Sequence, residues 1–138
     1  MDRFKGTRGK PEAERAAPAR PAQSPVEPEP EGFEIVEVAP AEFGAELEAG
    51  DEVVVVDTRQ PWDYQALHIP GAVSIPLSQL PARYNELAPD DNIVLYCYHG
   101  FTSQDGAAFL MQHGYKRVRS LTGGFTQWAG EGRPTERE

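Results

Sequence analysis

The chain has 138 residues, with 22 acidic side chains against 13 basic ones, for a net charge of −9. That length suggests a single domain, and the acidic balance argues against a nucleic-acid surface and against binding to nucleic acid. No apolar run nears the about 18 residues of a membrane-spanning helix, no apolar leader core opens the chain, and one cysteine makes no internal disulfide, so a reducing, cytoplasmic setting without membrane contact is expected.

Residues 1–32 hold six of the 13 prolines, Pro11, Pro18, Pro21, Pro25, Pro28 and Pro30. They show no apolar periodicity. With no core to offset the entropy of ordering, this Pro/Ala/Glu-rich segment is predicted to be a disordered tail. It holds six basic and six acidic residues, with the basic ones concentrated in its first 20 positions. A solvated tail is one reading and a docking arm for an acidic partner is the other. The net charge falls entirely on residues 33–138, seven basic against sixteen acidic.

From residue 33 the pattern alternates strand and helix. Ile35, Val36 and Val38 predict a strand over 34–38. Phe43 and Leu47, four apart, predict a helix over 41–49, stopped by Gly50. The run Val53-Val54-Val55-Val56 reads as a strand buried on both faces, ending at Asp57. Pro61 opens a short helix to Ala66. A short strand over 72–75 follows, then a helix over 76–87 carrying Leu77, Leu80, Tyr84 and Leu87. Asn92 to Tyr96 is the next strand, and Ser103 to His113 the next helix. Gly114 is placed just beyond that helix as the left-handed stop, with Tyr115 packing back. Val118 to Leu121 is the last strand and Gly124 to Gly130 the last helix. The charged segment 132–138 is expected to fray. Strands separated by helices imply an α/β fold, a mostly parallel sheet of about five strands with helices on both faces.

The one cysteine, Cys97, falls where a strand becomes a loop, Cys97-Tyr98-His99-Gly100-Phe101-Thr102-Ser103. The carboxyl ends of strands in an open α/β sheet are where ligands bind. The amides of such a loop and the helix start behind it favour negative charge. A thiol there should ionise more readily than a free cysteine, whose pKa is about 8.5. Gly100 lets the loop turn so that successive N–H groups converge. Thr102 reads as a helix N-cap, with Asp105 completing a Thr-x-x-Asp box. Asp105, in the helix's first turn, offsets part of its positive end, so the thiol is expected to be lowered only moderately. Nothing else in the chain resolves a modified Cys97, so an outside acceptor is required.

These residues resemble the rhodanese, or sulfurtransferase, family, and within it the small single-domain thiosulfate sulfurtransferases of the GlpE type. The loop is similar to that type's Cys-Tyr-His-Gly opening. Asp57-Thr58-Arg59-Gln60-Pro61-Trp62-Asp63-Tyr64 looks like the family's first signature, His68-Ile69-Pro70-Gly71-Ala72 like the segment after it, and Gly123-Gly124-Phe125-Thr126-Gln127-Trp128 like the closing signature. The likeness covers residues 33 to about 130 in the family's order, so a rhodanese domain is expected over 33–131.

The resemblance implies a covalent, ping-pong sulfur transfer. The Cys97 thiolate attacks the sulfane sulfur of a small anionic donor such as thiosulfate, and the persulfide passes its sulfur to cyanide or a thiol, thioredoxin or glutathione among them. Tyr98, His99, Gly100, Phe101, Thr102 and Ser103 would form the substrate-binding loop. Many rhodaneses carry arginine where Thr102 stands, and cysteine phosphatases need a loop arginine to clamp an oxyanion. Phosphatase activity is therefore disfavoured, and donor binding should be weaker than in an arginine-bearing loop. A second reading is a persulfide carrier or protein-binding module with little activity on free thiosulfate. Asp57 and Arg59 reach the same rim or, as preferred, form a structural pair. His99 either polarises the donor or is an exposed loop residue. Trp62, Tyr64 and Trp128 are expected in core or lid packing, and His68 as a hydrogen-bonded structural residue. The histidines lack metal-ligand spacing with Cys97, and neither metal nor cofactor is expected.

Overall fold

Five short segments, most of them rich in β-branched residues, pair into one sheet in a computed structural model that describes residues 34–138. They are β1 (Val36–Val38), β2 (Val54–Asp57), β3 (Val73–Ser74), β4 (Asn92–Tyr96) and β5 (Arg117–Leu121). Their order is β1-β5-β4-β2-β3, and every neighbouring pair is parallel. Parallel neighbours require crossovers. Helices α1 (Pro40–Glu48), α2 (Pro61–Ala66), α3 (Leu80–Arg83), α4 (Thr102–Gln112) and α5 (Gly124–Gly130) lie between and after the strands. The expected five-stranded α/β architecture is the one observed.

Side chains alternate across the sheet, which divides the core in two. Val55, Val94 and Tyr96 pack with Phe43 of α1 and Phe125 and Trp128 of α5. Val56, Ile93 and Leu95 pack with Leu80 of α3 and Ala107 and Leu110 of α4. Helices therefore cover both faces. The central strand β4 is buried on each side, which is why its sequence reads as a continuous apolar run rather than an alternation.

The helix expected over 76–87 is broken. Leu77–Gln79 and Tyr84–Glu86 are 3₁₀ turns flanking the four-residue α3. Pro81 has no N–H to bond the Leu77 carbonyl, and the Leu80 amide takes that carbonyl instead in an i→i−3 bond. Trp62 is 67% exposed and packs in no core. On the short α2 it is Tyr64, two positions on, that turns inward, stacking on His68 at 3.8 Å and donating to the Ala72 carbonyl at 2.7 Å. Trp128 is fully buried, as expected.

The segment after Gly130 does not fray. His68 and Glu136 pair as an antiparallel bridge, with N···O distances of 2.8 and 2.9 Å. The Trp128 indole donates to the Pro134 carbonyl at 2.7 Å. His68 is buried, its Nδ1 on the Tyr64 carbonyl at 2.7 Å and its Nε2 3.3 Å from the Glu136 carboxylate. Buried backbone and ring polar groups on the body of the domain thus find partners in the tail. The predicted disordered segment 1–32 lies outside the described residues.

Two features of this frame place the site. Strands β2 and β4 pair from Val54↔Ile93 to Asp57↔Tyr96, so they end level. Both the Thr58 amide and the Thr58 hydroxyl then donate to the Tyr96 carbonyl, each at 2.9 Å. Arg59, two residues past β2, and Cys97, one past β4, line one pocket at the carboxyl edge. Helix α4 stops where expected. Gly114 has φ +91, the Gly114 amide bonds Met111 O at 3.1 Å, and the Tyr115 amide bonds Leu110 O at 3.0 Å.

Candidate active site

Cys97 is 5% exposed, at the base of a pocket of about 380 Å³. The pocket is lined by Thr58, Arg59, Asp63, Leu77, His99 and Phe101, among others. The loop bends back over the sulfur. The Gly100 amide donates to Cys97 Sγ at 3.1 Å and the Ser103 amide at 3.3 Å, and Ser103 Oγ lies 3.5 Å away. Gly100 has φ +92, and a Cβ there would come within 2.9 Å of the Gly123 amide nitrogen. Glycine is therefore required twice over, for the turn and for the close approach.

What aims the loop amides at the sulfur is α5. Its first amides take the loop's carbonyls from outside, Phe125 N–H to Cys97 O at 2.7 Å and Thr126 N–H to Tyr98 O at 2.9 Å. With those carbonyls held outward, amides further along the loop face inward. Gly124 allows this contact. Its φ is +61, and a Cβ would meet Cys97 O at 2.5 Å.

Burial pushes the Cys97 thiol up, and four hydrogen bonds more than reverse that. The Ser103 and Thr102 hydroxyls and the Ser103 and Gly100 amides bring it down to about 7. All four are dipoles rather than charges. At neutral pH a substantial share of Cys97 is thiolate, the nucleophilic form. The thiol is lowered, the direction expected from the sequence, and Asp105 is not among the causes.

The Thr102 cap is corrected. The N-cap position is Phe101, Thr102 is already helical, and no side chain caps the helix. An N-cap residue needs extended backbone, but the chain has turned one residue earlier to bring its amides onto the sulfur. The Thr102 hydroxyl serves Cys97 instead. Gln104 closes the turn from its side chain, donating to Gly100 O at 3.0 Å.

Asp57 and Arg59 form the preferred structural pair. Both are buried. Arg59 Nη2 donates to Asp57 Oδ2 at 2.7 Å and Nε to both carboxylate oxygens at 3.1 and 3.2 Å. The Tyr96 hydroxyl and the Arg59 amide donate to the same carboxylate at 2.7 and 2.8 Å. Nη2 also donates to Leu67 O at 2.6 Å. Burial pushes the guanidinium down, the Asp57 hydrogen bond and charge push it up, and the net shift is upward. Arg59 also lines the pocket, its guanidinium 4.2 Å from the Phe125 ring centroid. Its charge is balanced by Asp57, so it does not replace the absent loop arginine.

Tyr98 and Phe101 form the rim, 43% and 75% exposed. His99 lines the mouth and is not among the groups that bond the sulfur. The structure adds residues that the sequence reading passed over. The Tyr98 hydroxyl donates to the Asp63 carboxylate, which fixes the rim. Ser120 lies behind the site, 2.7 Å from Ser103 Oγ. Its one sequence signal is a small polar residue two positions after Val118, on the same side of β5. Among the described residues no three His, Cys, Asp or Glu side chains group as a metal would need.

Fold and site together define a class: an α/β domain that presents a single nucleophilic cysteine in an amide cradle at the carboxyl edge of a parallel sheet. Residues 39–131 match the model of the rhodanese-like domain, and the chain belongs to that family. It is 40% identical over 83 residues to the thiosulfate sulfurtransferase GlpE of Pseudoalteromonas translucida, covering 60% of this chain and 79% of that protein. It is 31% identical over 97 residues to the putative sulfur carrier protein YrkF of Bacillus subtilis, covering 70% of this chain and 52% of that one. Among solved structures, a rhodanese-related protein from Thermoplasma volcanium superposes with a TM-score of 0.69 at 26% identity, over 75% of this chain and 99% of that one. The family supported is that of sulfurtransferases, and the names of these relatives include a thiosulfate sulfurtransferase and a putative sulfur carrier protein.

Proposed function

We propose that this chain moves sulfane sulfur through a persulfide on Cys97, with thiosulfate as a donor and cyanide or a thiol as acceptor. The observation that carries the reading is the Cys97 sulfur itself, held by the Gly100 and Ser103 amides and 3.5 Å from the Ser103 hydroxyl in an open pocket. In the first half-reaction the thiolate attacks the outer sulfur of thiosulfate. An S–S bond forms to Cys97, the donor's S–S bond breaks, and sulfite leaves with the electron pair. In the second, cyanide or a thiolate attacks the outer sulfur of the persulfide and Cys97 leaves as thiolate. The chain has no second cysteine to intercept the persulfide. The loop amides supply electrostatic stabilisation to whichever sulfur bears the negative charge.

A second reading, a persulfide carrier that takes sulfur from another protein, is favoured by the absence of an arginine in the loop and by the likeness to YrkF. Intact mass separates the two. The wild type incubated with thiosulfate should gain one sulfur atom that cyanide removes as thiocyanate, and Cys97→Ser should gain none. A wild type that stays bare with thiosulfate but takes sulfur from a persulfidated protein turns the assignment to the carrier. A Cys97 that takes sulfur from neither overturns both.

A further inference from the structure

The hydrogen-bonded chain at the site does not end at Cys97. Behind the sulfur lie two serines, Ser103 at the start of α4 and Ser120 on β5, both fully buried. Their hydroxyl oxygens are 2.7 Å apart, and the Ser103 oxygen is 3.5 Å from Cys97 Sγ. Ser120 is paired across the sheet with Leu95 and lies on the same face of β5 as Val118, the face that α4 covers. A hydroxyl in such apolar company is costly to bury unless it is bonded. Among the described residues its one side-chain partner is Ser103.

We infer that Ser120 is a positioning residue: its hydroxyl donates to Ser103 Oγ and so, once Cys97 is a thiolate and no longer donates to that oxygen, turns the Ser103 proton toward the sulfur. The direction follows from counting protons. If Ser103 donated to Ser120 instead, the sulfur would lose a donor and the Ser120 proton would have no acceptor. With the chain running Ser120 to Ser103 to Cys97, both protons are used whenever the sulfur is anionic. A hydroxyl that accepts a hydrogen bond is also polarised into a better donor. The same orientation serves the thiolate before sulfur uptake and the inner sulfur of the persulfide after it.

The inference rests on Cys97 being the sulfur-bearing residue, but its test needs no sulfur donor. Cys97 is the one cysteine of the full chain, so alkylation by iodoacetamide, read by intact mass, reports it alone. The charged or titratable groups around it are Arg59 with its partner Asp57, Asp63, Tyr98 and His99 at the pocket and Asp105 in the first turn of α4, while the first turn of α5 brings no acidic group. The variants below leave all of these in place. The alkylation rate of the wild type should have its midpoint near pH 7. Ser120→Ala should raise the midpoint by about half a unit and Ser103→Ala by about one unit, with the double variant no higher than Ser103→Ala. Removing one oxygen from Ser120 leaves its backbone pairing intact, and a thermal melt of each variant confirms that the profile belongs to folded protein. A Ser120→Ala profile that superimposes on the wild type overturns the inference. So does a Ser120→Ala shift of undiminished size in the Ser103→Ala background. Failure to take sulfur from thiosulfate would leave these profiles as they are and bear on the proposed function alone.

Discussion

Two strands end side by side at the carboxyl edge of the sheet, and each presents a negative charge that is handled in the opposite way. At the end of β2 the Asp57 carboxylate meets a guanidinium, a phenol and an amide, all buried. At the end of β4 the Cys97 sulfur meets only hydroxyls and amides, with a pocket open on one side. Full compensation makes the first charge inert and structural. Partial compensation by dipoles leaves the second charge stable enough to form and exposed enough to react. A cation paired directly with the thiolate would lower its pKa further, but would also lower its nucleophilicity.

The comparison can be broken most severely at Asp57. Asp57→Ala strands a buried guanidinium and the Tyr96 hydroxyl, and should cost about 3–5 kcal/mol of folding free energy in urea unfolding. A loss below about 1 kcal/mol would mean that the pair is not the closed unit described here. Gly124→Ala attacks the other strand end. The added Cβ, 2.5 Å from Cys97 O, pushes the loop off α5. A stability loss of about 1–3 kcal/mol is expected, and the alkylation midpoint of Cys97 should move up toward that of an ordinary thiol. An unchanged midpoint would show that α5 does not aim the loop amides.

The smallest effect is the linkage of stability to pH. The native value of Cys97, about 7, lies below that of an unfolded cysteine. The thiolate's contribution is therefore complete above the unfolded value, about 8.5, and is lost as pH falls through about 7. The difference in unfolding free energy between the wild type and Cys97→Ala should grow by on the order of 1 kcal/mol from pH 6.5 to pH 9, discounted for screening on the open side of the pocket. A difference that is flat with pH would remove the dipole cradle from the account.

Much of this was legible in the chain. The apolar runs at Val53–Val56 and Ile93–Tyr96 mark strands buried on both faces, and the loop from Cys97 to Ser103 marks the nucleophile. The misreadings share one cause. The helix over 76–87, the Thr102 cap and the fraying of 132–138 are each read from immediate neighbours alone. Pro81 broke a helix whose apolar spacing looked continuous. Thr102 was drawn to a sulfur five residues back rather than to its own helix end. The tail found partners in His68 and Trp128, and such long-range bonds leave no local pattern.

The sequence by itself determined the periodicity of each element, the glycines that permit each sharp turn, and the single thiol with its loop, because these depend on residues a few positions apart. The tertiary structure alone decided which groups meet that thiol. Thr58 lies 38 residues from the Tyr96 carbonyl it bonds, Ser120 lies 17 from Ser103, and the α5 amides reach the loop from the segment that follows the last strand. Those partners are set by strand order and register, and the physical quantity they control, the balance between burial and hydrogen bonds at one sulfur, exists only once the sheet has closed around it.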